Sequence, residues 1–72
     1  MFEMIEWYLS ESGGSVVAFR AYRSSDARLG QAFFNALSET DKRRISLTLF
    51  DPFYKDSVSD VERSVAFLID NN

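Results

Sequence analysis

Apolar residues recur along the chain at intervals of three and four, broken by short polar clusters, and this pattern predicts most of its elements. Over residues 24–38, SSDARLGQAFFNALS, Leu29, Phe33, Ala36 and Leu37 repeat at helical spacing behind a Ser/Asp start, which predicts a helix. Phe34 points off that stripe. Gly30 within it costs up to about 1 kcal/mol relative to alanine, so its presence points to close approach by another backbone or a bulky ring. Ser38 and Asp41 form an S-x-x-D start for a second, short helix. Ile45 and Leu49 share one face of it, Lys42, Arg43 and Arg44 occupy its early turns, and Pro52 ends the pattern. Residues 59–72, SDVERSVAFLIDNN, read as the clearest helix, with Ser59 and Glu62 as a capping box. Its stripe is Val61, Val65, Leu68 and Ile69, widened by Phe67, and Asp70, Asn71 and Asn72 close it.

The first 23 residues support two readings. Phe2, Ile5 and Leu9 with Glu3 and Glu6 between them fit a short amphipathic helix, whereas WYLSESGGSVVAFRAYR also fits two strands joined by a Gly-Gly turn, with Val16, Val17, Phe19 and Tyr22 suited to a pleated surface. We read this region as helix. The chain as a whole then reads as one mainly α domain over residues 1–72, a compact bundle of three to five short helices. The alternative is an α+β fold with an N-terminal β-hairpin. The predicted core is Phe2, Ile5, Phe19, Leu29, Phe33, Leu37, Ile45, Leu49, Phe50, Phe53, Val61, Val65 and Leu68.

Size makes that core thin. A domain of 72 residues buries only about 60% of the surface its unfolded chain exposes. Domains this small gain extra stability from disulfides, metals, self-association or dense aromatic packing. The sequence holds no cysteine and no histidine, which removes disulfides, the usual zinc ligands, and the Ser-His and Cys-His nucleophile pairs. Seven Phe, three Tyr and one Trp remain. That is more aromatic surface than a chain of this length buries with ease, so a homo-oligomer is expected.

Net charge is −3 and unevenly spread: residues 1–14 carry −3, residues 15–50 carry +3 and residues 51–72 carry −3. Mutual neutralisation, within one fold or between copies, is the economical account of a basic middle between acidic ends. The opening MFEMIEWYLS places Glu3 and Glu6 inside its apolar run and lacks the basic start of a secretion signal, and no apolar stretch is long enough to cross a bilayer. A cytoplasmic protein with no membrane partner is expected.

Candidate chemistry is sparse. Asp51 and Glu62 imitate the first and twelfth positions of a calcium loop, but Phe53 and Lys55 occupy ligand positions and Asp56 stands where the turn needs glycine. Gly13-Gly14 lacks the lysine and helix of a phosphate-cradling loop. No catalytic residue, cofactor or metal ligand is assigned, and the chain is read as non-enzymatic.

Two stretches carry a resemblance. Arg28-Leu29-Gly30-Gln31-Ala32-Phe33-Phe34-Asn35-Ala36-Leu37, followed by Asp51-Pro52-Phe53-Tyr54, resembles small uncharacterised proteins of bacteriophages and prophages that carry R-x-G-Q-A-x-F-N-x-L and D-P-F-Y segments. The likeness covers about residues 23–56. It implies a viral or prophage setting in a host cell, and no reaction.

With no reactive constellation, contact with another protein is the expected function: binding of a host or phage protein, with inhibition of a host defence or regulatory complex as one form of it. Pro52 restricts a turn in which Phe50 and Phe53 plug a gap between helices, while Tyr54 offers a ring that packs and a hydroxyl that stays wet, as at partner surfaces. Gln31 and Asn35, at i and i+4, share a helix face near Arg28. The candidate partner-binding residues are therefore Arg28, Gln31, Phe34, Asn35, Tyr54 and Lys55. The alternative is a nucleic-acid contact through Arg20, Arg23, Lys42, Arg43 and Arg44 beside Phe19 and Tyr22. Against it, three consecutive bases on a helix span about 200° and cannot all face one groove, and the acidic flanks repel phosphate. A self-assembling structural component is a third reading.

Overall fold

The computed structural model describes residues 1–71 and contains five helices: α1 Glu3–Glu11, α2 Val16–Ser24, α3 Leu29–Ala36, α4 Glu39–Ile45 and α5 Val58–Asp70. The mainly α fold is thus the observed one, and there is no strand among the described residues. The N-terminal hairpin does not form, for a local reason. Gly13 at φ +85° takes the left-handed position after α1, and the Gly14 amide donates back to the Leu9 carbonyl at 3.0 Å, closing the helix end. Ser15 then starts α2 by accepting from the Ala18 amide. The Gly-Gly pair joins two helices.

Serines also start α4 and α5. Ser38 accepts from Asp41 N at 3.2 Å, as the S-x-x-D pattern predicts. For α5 the cap is Ser57, accepting from Asp60 N at 3.2 Å, so the helix begins at Val58 and Ser59 lies inside it. The predicted Ser59–Glu62 capping box is corrected accordingly. Asn71 caps the far end, and Asn72 lies outside the described residues.

Helix α3 begins later than its sequence suggests. Ser24 ends α2, and residues 25–28 form a connection in which Asp26 adopts φ +67° and the Ala27 amide bonds the Tyr22 carbonyl. Its N-cap residue, Arg28, gives no side-chain cap. The first amides of α3 are satisfied from far along the chain instead: Leu29 N donates to Asp56 Oδ1 at 3.4 Å and Gly30 N to the Lys55 carbonyl at 2.9 Å.

The core gathers one stripe from every helix: Ile5, Tyr8 and Leu9 of α1, Phe19 of α2, Leu29, Ala32, Phe33 and Ala36 of α3, Ile45 of α4, and Val61, Val65 and Leu68 of α5, with Leu37 beyond α3. Phe2 packs against this cluster without being fully buried, its ring edge-on to Phe19 at 6.0 Å. Helices α2 and α3 pack most extensively, and α5 lies against α1, α3 and α4. Three predicted core residues fall elsewhere. Helix α4 stops at Ile45, so Leu49 never reaches the helical face it was assigned and is 93% exposed. Phe50 is also exposed, lying on Phe67 at 5.1 Å and nearly parallel to it, and Phe53 is half-buried. Tyr8, Leu9, Ala32 and Ala36 fill the space in their place.

No helix among the described residues is long and apolar enough to cross a membrane.

Candidate functional site: the loop between α4 and α5

Residues 46–57 join α4 to α5. Three fixed points set their path. The Asp51 carboxylate accepts from Leu47 N at 2.9 Å through one oxygen and from Phe53 N at 3.0 Å through the other. Thr48 Oγ1 donates to the Ile45 carbonyl at 2.8 Å and accepts from Phe50 N at 3.2 Å. Buried Ser64 on α5 donates its hydroxyl to the Phe50 carbonyl at 2.6 Å. Asp51, which imitates a calcium ligand in the sequence, serves as a backbone staple. Among the described residues no cluster of three carboxylates stands close enough to hold a metal ion.

The second half of the loop docks on α3. The backbone from Pro52 to Lys55 crosses so close to Gly30 that an added Cβ would overlap the Pro52 carbonyl oxygen and lie 2.6 Å from that of Lys55. Pro52 is buried, and Phe53 meets Phe34 edge-on at 5.6 Å. The glycine of the first resembling segment and the D-P-F-Y of the second are thus two sides of one contact. Tyr54 stands on Phe53 with ring centroids 5.1 Å apart and is 78% exposed. Around this ladder Arg28 and Lys55 are exposed, and Gln31, Phe34 and Asn35 are half-buried. Of the six predicted partner-binding residues, Phe34, Tyr54 and Lys55 meet at this junction, with Tyr54 its most prominent exposed ring, while Gln31 and Asn35 lie on α3 and Arg28 just before it.

The first half of the loop was not singled out as a site by its sequence. Leu47 is 96% exposed and adopts φ +64°, a left-handed conformation that costs about 1–2 kcal/mol for a residue with a Cβ. Leu49 is as exposed.

The alternative nucleic-acid residues are mostly engaged within the fold. Arg20 holds Glu6 through two nitrogens, at 2.7 and 3.1 Å, which keeps the Glu6 carboxyl below the usual carboxylate range. Arg23 lies over the Phe2 ring at 4.7 Å, and Lys42 reaches Glu39 at 3.5 Å. Arg44 is half-buried, donating to Asp41 Oδ1 and to the Leu68 carbonyl at 2.7 Å each. Arg43 alone of the five is exposed without an ion pair or ring contact among the described residues.

Arg44 belongs to a polar knot beneath a groove of about 670 Å³ between α1, α4 and α5. Tyr8 donates its hydroxyl to the other oxygen of buried Asp41 at 2.6 Å. Burial and then this bond to a carboxylate push the Tyr8 phenol up to about 12. Both Asp41 oxygens are occupied, so the knot is a structural tie between α1, α4 and α5.

Comparison with protein-family models, with curated proteins and with solved structures finds no match for this chain.

Proposed function

We propose that this chain is a non-enzymatic accessory protein of a phage or prophage that acts by binding a host or phage protein through the α4–α5 loop. One observation carries the reading: a short loop, stapled by Asp51, Thr48 and Ser64, holds Leu47, Leu49, Phe50 and Tyr54 in solvent on a backbone that includes a left-handed leucine. Strain and exposed apolar surface both oppose stability, and their concentration in one pinned loop is what a contact surface requires. A rigid loop also loses little conformational freedom on binding. The viral setting comes from the resemblance alone, and inhibition of a host complex is one form such binding takes.

The test is a comparison of tagged wild type, Leu47→Ser/Leu49→Ser and Tyr54→Ala in bacterial cells, with unchanged circular dichroism as a control. A specific protein retained by the wild type and weakened about tenfold by either variant supports the reading. Identical protein profiles for all three would overturn it.

A further inference from the structure

The exposed leucines have a matching recess on the same molecule. Trp7, Leu68 and Ile69 supply apolar walls to the groove between α1, α4 and α5. Trp7 is 53% exposed there and Ile69 is 43% exposed. Most of the polar floor is already engaged, because Asp41 accepts from Tyr8 and Arg44 and the Arg44 guanidinium also serves the Leu68 carbonyl, while the buried Ser12 hydroxyl on the same lining has no hydrogen-bond partner among the described residues. Beside these polar groups the groove presents the uncovered hydrocarbon of Trp7 and Ile69, with room for aliphatic side chains.

Charge selects the occupant. Glu11 stands exposed on the rim and Asp70 follows Ile69, while Glu39, between the rim residues Ser38 and Thr40, is paired with Lys42. The leucine tip has the opposite sign beside it: Arg43 is exposed on the last turn of α4, four residues before Leu47, and is not ion-paired among the described residues. The Asp51 carboxylate at the tip is taken up by the Leu47 and Phe53 amides, so the complementary charges left to pair are exposed Arg43 beside the aliphatic tip and exposed Glu11 on the rim of the recess.

Their placement decides the symmetry. Helix α4 lines the groove with Thr40, Asp41 and Arg44, and the tip begins two residues past its last residue, Ile45. The short helix α4 thus carries both features, the groove lining along it and the tip just past its end, which lets two copies related by a two-fold axis exchange contacts and close on each other. We propose that the protein is a two-fold dimer in which Leu47 and Leu49 of each copy fill the Trp7–Ile69 groove of the other, with Arg43 facing Glu11. This rests on reading the α4–α5 loop as a contact surface, and divides it: the leucine half serves a second copy and the Tyr54 half remains for a different protein.

Sedimentation of the full chain across a concentration series tests the dimer, and the one tryptophan of the sequence, Trp7, reports on the groove. The wild type is expected to sediment as a dimer and its emission to shift to the red on dilution. Leu47→Ser/Leu49→Ser should sediment as a monomer with emission already red-shifted. Arg43→Glu and Glu11→Arg should each weaken the dimer about tenfold, and their combination should restore it. A monomeric wild type, a dimer indifferent to the leucine substitutions, or failure of the charge exchange to rescue would each overturn this arrangement. A monomer that still captures a foreign protein through the loop would overturn the dimer and leave the proposed function standing.

Discussion

The two halves of the α4–α5 loop have similar composition and opposite fates. Residues 47–50 carry two leucines and a phenylalanine into solvent, whereas residues 52–55 bury a proline, pack a phenylalanine on α3 and leave the tyrosine as their one exposed apolar side chain. The difference lies in backbone bonding. Residues 52–55 are drawn in because the uncapped start of α3 needs acceptors, which Lys55 and Asp56 provide. Residues 47–50 are held out because Asp51 takes the Leu47 amide and turns the chain away from the core. Hydrophobicity alone would have buried both.

Closing the gap at Gly30 should break the inner half. Gly30→Ala places a methyl on the Pro52 carbonyl, a backbone group that cannot rotate away. A loss of about 3 kcal/mol or more is expected in denaturant unfolding, a large part of the stability of a domain this small.

The tie beneath the groove comes next. Tyr8→Phe removes the donor to buried Asp41 and should cost about 1.5–3 kcal/mol at neutral pH. Because the folded phenol titrates near 12 and the free one near 10, folding favours the protonated form. The stabilisation from Tyr8 is therefore full below pH 10 and is lost as pH rises from 10 through 12. Unfolding midpoints of wild type and Tyr8→Phe should converge over that window; a constant gap would show that folding does not raise the phenol's pKa.

Leu47→Gly sharpens the contrast most directly, since it relaxes a left-handed backbone while removing a side chain that touches almost nothing in the monomer. Stability measured under monomeric conditions should rise by about 0.5–1 kcal/mol, while partner or self-contact through the tip falls. A stabilising substitution that abolishes binding separates strain kept for contact from strain without a role. Leu49→Ser should have the smallest effect on folding, within about 0.5 kcal/mol, because its side chain lies in water.

Much of the helical layout was legible in the sequence. Val61, Val65 and Leu68 of the α5 stripe, the Ser38 start of α4 and the helical spacing of Leu29, Phe33 and Ala36 survive folding because they depend on neighbours three and four residues away, whereas Ile69, assigned to the same α5 stripe, turns out of the core and is exposed. The role of Gly30 as a point of close approach was legible too, though not what approaches it. The N-terminal region stayed ambiguous because Gly-Gly suits a hairpin and a helix end alike, and the left-handed Gly13 with the Leu9–Gly14 bond decides between them only in three dimensions. Among the proposed contact residues, Tyr54 and its neighbours were named from composition and turn chemistry. Leu47 and Leu49 were missed because exposed leucine has no mark in a sequence.

By itself the sequence determined that the chain is mainly helical, that it has no cysteine or histidine chemistry, and which stripes of α3 and α5 face inward, since each of these is a matter of residue identity or of local periodicity. Only the tertiary structure decided which apolar residues of one loop are buried and which are displayed. That choice turns on hydrogen bonds from the Leu29 and Gly30 amides of α3 to Asp56 and Lys55 and from Ser64 back to the Phe50 carbonyl, between groups from 14 to 27 residues apart. Such bonds form only once the helices have brought their ends together.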